Sequence, residues 1–348
     1  MSFRTPLGAP VSAARAPTAG LRPPLPRPVT PVRADHLRLP VGPGSLHAER
    51  YGHGGTPIVL LLGFGTCSFL WREVAPQLAI ARHTAVAVDL LGHGESDRPI
   101  EADFGVAAQA EYLDRALTVL RMARAVIVGV DVGGGVALRL AATRPDRVAG
   151  LVLVNTVAFE HMPGRDVRTL QRNTARVAFR LSRGMFGASP LLAPVLKGSV
   201  ADPAHMPDRL VARYLAPFVG RDGVTHLLDL ARSLRTEEVD EIDLACIAAP
   251  TLVVWGEADP WVPAEVPTRL LHAIPETRLA RLPGVGRLAP EEAPDELADL
   301  ILGHVVRMEA GAQAAQAARA ELAMATREAG DAAAGDLPSQ AARGDVDG

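Results

Sequence analysis

The chain has 348 residues, 48% of them hydrophobic, which is enough apolar material for one large core or for a core with a subdomain. Its formal net charge is −3, and no basic excess marks a nucleic-acid partner. No run of about 18 apolar residues marks a membrane span, and the two cysteines, Cys67 and Cys246, are too few for a disulfide framework. They read as small core or near-core residues in a reducing, cytoplasmic compartment.

Residues 1–40 are rich in Pro, Ala and Arg and almost free of acids. The run from Pro23 to Pro28 can neither pair into a sheet nor sit inside a helix. No continuous apolar stretch fits a secretory signal, and the proline density argues against the amphipathic helix of a transit peptide. The segment reads as a disordered arm. Residues 41–160 then alternate strands and helices. Ile58 to Leu62 is a buried strand, Trp71 to Ala79 a helix, and Thr84 to Val88 a second strand. Ala107 to Met122 is an amphipathic helix, Ala125 to Gly129 a strand, Gly135 to Thr143 a helix and Val148 to Val154 a strand. Residues 161–245 break the rhythm, with helical patterns at Val167 to Leu181 and Arg209 to Leu215 and no clear buried strand. A helical insertion there would lie over the carboxyl ends of the sheet, where open α/β folds bind ligands, and act as a lid. Residues 246–308 resume with strands at Thr251 to Trp255 and Thr277 to Leu282 and a closing helix at Leu297 to Met308. Residues 309–348 are Ala-rich; their first part prolongs that helix and about the last twenty are expected to be disordered. The fold class is therefore α/β, a mostly parallel sheet flanked by helices, with the two terminal segments as the places open to a protein partner.

The segment Val128-Gly129-Val130-Asp131-Val132-Gly133-Gly134 fits a strand, tight turn and helix of the G-x-nucleophile-x-G kind. The central residue of such an elbow is strained and left-handed, and its flanks need small side chains so that strand and helix can approach. The helix amino terminus favours negative charge at that point. A dinucleotide-binding turn is the competing reading, but the glycine spacing is wrong and this is not the first strand.

Together with the elbow, three further motifs resemble the α/β-hydrolase superfamily over residues from about 46 to 306. They are Leu62-Gly63-Phe64-Gly65, the loop Asp89 to Asp97 with its D-x-x-G-H-G-x-S-D pattern, and Trp255-Gly256-Glu257-Ala258-Asp259. The resemblance implies an α/β-hydrolase fold with a helical lid. Aspartate at the elbow is similar to the epoxide hydrolase and haloalkane dehalogenase branch, as is Arg213 to Phe218 at the end of the lid. It implies Asp131 as a nucleophile that forms an alkyl ester with a small apolar electrophile, a histidine that activates water, and Asp259 as the acid that orients the histidine. Without that resemblance, Asp259 reads as a turn residue before Pro260. Gly63, Phe64, Val132 and Tyr214 fall at oxyanion-loop or pocket positions. No metal and no cofactor is expected.

The sequence departs from the family pattern where the histidine belongs. That place, in the turn from Leu282 to Glu292, holds Arg287, and an arginine stays protonated and takes no proton from water. Arg287 is open to pairing with Asp131 or Asp259, or to binding an anionic substrate group. Leu62 and Val130 stand where many relatives carry histidine. Val132 and Phe64 stand where dehalogenases carry the tryptophan and asparagine that hold halide, which disfavours dehalogenation. Tyr214 furnishes one of the lid tyrosines of an epoxide hydrolase, or simply packs. His93 reads as structural. His161, His205 and His226 sit in the lid, and His272 and His304 on outer helices. His36, His47, His53 and His83 fall in the arm, the opening hairpin or surface turns. Three functions stay open: a hydrolase of impaired turnover, a lyase or isomerase using Asp131 as acid or base, and a lapsed fold kept for binding.

Overall fold

A computed structural model describes residues 32–172 and 188–335. The Pro-rich run and the second half of the helical pattern at Val167 to Leu181 lie outside the described residues.

Eight strands form one sheet in the order β1-β2-β4-β3-β5-β6-β7-β8. They are β1 (Asp35–Pro40), β2 (Ser45–Tyr51), β3 (Pro57–Leu61), β4 (Thr84–Val88), β5 (Ala125–Val130), β6 (Val148–Val154), β7 (Thr251–Gly256) and β8 (Thr277–Leu282). The β1–β2 and β2–β4 pairs are antiparallel, and every pair from β4 to β8 is parallel. The central strands are apolar but for Thr84 and Thr251 at the starts of β4 and β7, because both their faces are covered; every residue of β4, β5 and β7 is buried. β8 exposes Arg278 and Arg281 and fully buries only Leu282, as suits an edge.

The helices are α1 (Ala75–Ile80), α2 (Val106–Val119), α3 (Val132–Thr143), α4 (Arg165–Gln171), α5 (Ser189–Lys197), α6 (Asp208–Leu215), α7 (Gly220–Ser233), α8 (Glu237–Asp240), α9 (Val266–Ala273), α10 (Ala289–Glu292) and α11 (Pro294–Gly335). From α4 to α8 the described elements between β6 and β7 are helical, so the connection that breaks the strand–helix rhythm is an insertion. No helix among the described residues is long and apolar enough to cross a membrane.

Several boundaries differ from the sequence reading. Residues 35–40 are not arm: they pair with β2 as an edge strand. The expected helix from Trp71 to Ala79 is split into a 3-10 turn at Ser68–Trp71 and α1, which starts where Pro76 sits in the first turn. α3 starts at Val132, directly behind Asp131, instead of at Gly135. Arg213 to Phe218 is not the end of the insertion, since α7 follows. α11 starts at Pro294 and not at Leu297; it continues past Met308, as the Ala-rich composition suggests, and reaches Gly335. Cys67 is buried as expected, but Cys246 is exposed and its thiol donates to Asp243 at 2.9 Å.

Candidate active site

Asp131 closes β5 and precedes α3 with φ 52°, inside the left-handed region. The glycines around it explain how the chain tolerates the turn. A Cβ on Gly129 would meet the Gly133 carbonyl oxygen at 2.4 Å, and one on Gly133 would meet the Leu62 carbonyl oxygen at 2.4 Å. Strand and helix therefore approach more closely than any side chain allows. Gly63 is a near neighbour for the same reason: a Cβ there would come within 3.2 Å of the Asp131 Cβ. The Asp131 N–H donates to the Val154 carbonyl at 3.1 Å, which fixes the elbow to the end of β6.

Both carboxylate oxygens of Asp131 are engaged. Oδ2 accepts the Phe64 backbone N–H at 2.9 Å, and Oδ1 accepts the Arg287 guanidinium. Arg287, 2% exposed, donates its other Nη to Asp166 at 2.8 Å. Asp131 and Asp166 are 1% and 3% exposed, so two carboxylates share one cation away from solvent. Arg287 Nε and Asp166 Oδ1 have no hydrogen-bond partner among the described residues. Burial pushes the Asp131 carboxyl above its ordinary range, against the pull of Arg287 and the Phe64 N–H. The Arg287 guanidinium is held above its ordinary range by Asp131 and Asp166, despite burial. Separating such a pair costs about 3–5 kcal/mol.

Asp259 lies apart from this cluster. Its Oδ1 accepts the N–H groups of Trp261 at 2.8 Å and Val262 at 3.3 Å, and its Oδ2 accepts Asn155 Nδ2 at 3.0 Å. The direct ion pairs of Arg287 are with Asp131 and Asp166, so of the two pairings open in the sequence only the one with Asp131 forms. Asp259 acts on Arg287 through its field, and burial pushes its carboxyl upward. Asn155, fully buried with φ 41°, also receives the Gly256 N–H at 2.8 Å and so ties β6 to β7 under Asp259.

Tyr214 is not turned toward Asp131. Its hydroxyl donates to Glu291, whose carboxylate also takes both Nη groups of Arg72 at 2.7 Å. Val132 is buried at the start of α3, and the Phe64 ring lies edge-on to His93 at 6.4 Å. Three residues that no motif marked carry much of this arrangement: Asp166, Asn155 and Glu291. Asp166 is 121 residues from its partner, and only the tertiary fold joins the two.

All ten histidines of the chain are among the described residues, and none is bonded to Asp131, Asp166, Arg287 or Asp259. His93 is buried, and its imidazole is pushed down to about 3, chiefly by burial. Among the insertion histidines, His161 faces Glu160 and Glu265, His205 faces Asp202, and His226 contacts the Gly92 carbonyl at 2.5 Å.

The chain is similar over 296 residues to an uncharacterized protein of Mycobacterium tuberculosis, at 30% identity, covering 79% of this chain and 82% of that one. It is 30% identical over 269 residues to haloalkane dehalogenase 2 of the same organism, covering 74% of this chain and 91% of that one. Among solved structures, the epoxide hydrolase CorEH superposes with a TM-score of 0.68 at 20% identity, over 79% of this chain and all of that one, a likeness of fold. The family described as alpha/beta hydrolase fold matches residues 56–294, more than half of the sequence, and the chain belongs to that family.

Proposed function

We propose that this protein is a hydrolase-fold member of the aspartate-nucleophile type in which turnover through an aspartyl ester has lapsed, and that it binds a small apolar molecule under its helical lid. The observation that carries the reading is the pairing of Arg287 with Asp131. An attacking carboxylate must have its charge available for carbon, and an ion pair or hydrogen bond on an oxygen holds that charge back. Here one oxygen accepts a guanidinium and the other a backbone N–H. Lifting Arg287 away would expose a buried charge, and a cost of about 3–5 kcal/mol corresponds to a rate loss on the order of 10²- to 10⁴-fold. The second step is also unfurnished. An ester at Asp131 needs water activated by a base, and the position of that base is held by a permanent cation. Asp259 serves in this reading as a structural acid that shapes the turn at Trp261.

A slow hydrolase is the second reading, and Asp166 favours it. Arg287 already holds Asp166, so a small rotation toward that partner would release Asp131 while the cation stays paired. Asp131 also keeps its strained elbow geometry.

Intact-mass measurement separates the two. Wild-type protein and Arg287→Gln are incubated with a panel of epoxides and alkyl halides, with Asp131→Asn as control. Lapse predicts no adduct on the wild type and a persistent one on Arg287→Gln, mapped to Asp131. An adduct on the wild type establishes the slow hydrolase. No adduct on a folded Arg287→Gln shows that Arg287 is not what silences the site.

A further inference from the structure

The edge of the sheet opposite the elbow carries a second group of chemistry-bearing side chains. His47 and Glu49 alternate on β2 and therefore share a face. β1 runs antiparallel beside them, and its His36 stands directly across from Glu49 in the register. Cross-strand partners have Cβ atoms about 4.5–5.5 Å apart, close enough for their side chains to converge on one point. They do converge: one donor atom from each of His36, His47 and Glu49 lies within 4.8 Å of the others. His36 Nδ1 and His47 Nε2 are 3.1 Å apart.

We propose that His36 Nδ1, His47 Nε2 and a Glu49 carboxylate oxygen form a binding site for a zinc-class divalent cation. Three features support it. The first is ligand spacing. Two imidazole nitrogens at about 2.0–2.1 Å from a tetrahedral zinc stand about 3.3 Å apart, so the observed separation needs only a few tenths of an ångström of adjustment. The second is the support behind His47. Its Nδ1 is bonded to Asp89 Oδ2 at 2.9 Å, the carboxylate–histidine arrangement that fixes the ring and leaves Nε2 aimed outward as a ligand. Asp89 is itself held by the N–H groups of Ser68 at 2.5 Å and Glu95 at 3.0 Å, so the orienting group is rigid. The third is the positioning of Glu49, which is 9% exposed and takes the Tyr51 hydroxyl at 2.7 Å and the Ser68 hydroxyl at 3.4 Å. Each contact orients the carboxylate and leaves lone pairs free on both its oxygens.

In the metal-free form a proton on His36 Nδ1 bridges to His47 Nε2. On cation binding that proton leaves Nδ1 to water and the neutral ring takes one up from water at Nε2, so His36 binds as the Nε2-protonated tautomer with its N–H on the solvent side. Two imidazoles and one carboxylate suit zinc, and nickel or copper by general affinity order, over calcium or magnesium. The fourth position is left for water or for Glu95, whose Oε2 is 3.9 Å from His47 Nε2. Glu95 also faces Arg213 of α6 at 3.7 Å. A bound cation would therefore fasten the exposed edge strand β1 to the loop that carries Asp89 and Glu95, next to the helical insertion. The site is independent of Asp131, which follows β5, three strands across the sheet from β2.

The test uses the full-length, tag-free chain stripped with a chelator. Zinc is titrated by calorimetry and cobalt by visible absorption, with His36→Ala and Glu49→Gln beside the wild type. His36 is exposed on an edge strand, so its substitution leaves the fold intact, checked by an unchanged thermal midpoint in chelator. The proposal requires one zinc per wild-type chain, a tetrahedral cobalt band, and an affinity loss of about 10- to 100-fold in each variant. A wild type that binds no stoichiometric zinc overturns it. So does a folded His36→Ala that binds zinc as tightly as the wild type.

Discussion

At the scale of single residues, charge placement decides what the site can do. The elbow was legible because its glycines are demanded by backbone contacts, and so was the anomaly at Arg287. Asp166 was not legible: a lone acid in a helical insertion has no signature until the fold brings it to a cation. His36 was misplaced in the arm because an exposed edge strand alternates polar residues and carries no apolar run. The buried histidine of the loop after β4 has a consequence of its own. His93 has an ordinary value of 6.5 and is pushed down to about 3, first by burial and then by the field of His226. The folded chain therefore binds fewer protons than the unfolded one between these values. The contribution to stability is complete above about pH 6.5 and is lost as pH falls toward about 3. From this residue alone, unfolding free energy should be about 2 kcal/mol lower at about pH 5 than at about pH 7. Urea unfolding at the two pH values checks this, and His93→Asn should reduce the difference by a similar amount.

Elements with a strong, simple physical cause were read correctly. Strands buried on both faces, such as β4 and β5, declare themselves as continuous apolar runs. Helix boundaries were set by local details that periodicity does not carry: Pro76 delays α1, and the elbow starts α3 three residues early. The elbow is also where one methyl group has a large effect. In Gly133→Ala the new Cβ would lie 2.4 Å from the Leu62 carbonyl oxygen and 2.8 Å from the Leu61 Cβ. Neither is the tip of a flexible side chain, so α3 must move away from β3. The expected loss is about 1–3 kcal/mol, read by denaturant titration. Gly311→Ala, on the exposed run of α11 with nothing within 4 Å, serves as the contrast and should be neutral or slightly stabilising.

At the scale of the whole molecule, the family's frame is intact, and the proposed function rests on what surrounds Asp131. The sheet, the strained elbow, the oxyanion-loop N–H and the acid after β7 are all in place. Beside the elbow lies a buried cation, Arg287, with counter-ions from the elbow and from α4 of the insertion. That cation joins the core to the insertion, so in the proposed function the pair that silences Asp131 also helps to hold the insertion down. Fold and family could be read from the sequence because they rest on local patterns. The state of Asp131 could not, because it depends on which of several acids Arg287 reaches. A double-mutant cycle on Asp131→Asn and Arg287→Gln, read by unfolding free energy at neutral pH, tests that pairing most directly. A buried ion pair predicts a coupling of about 2 kcal/mol or more between the two positions. Additive effects, with coupling under about 0.5 kcal/mol, would contradict it and leave Asp131 a free carboxylate.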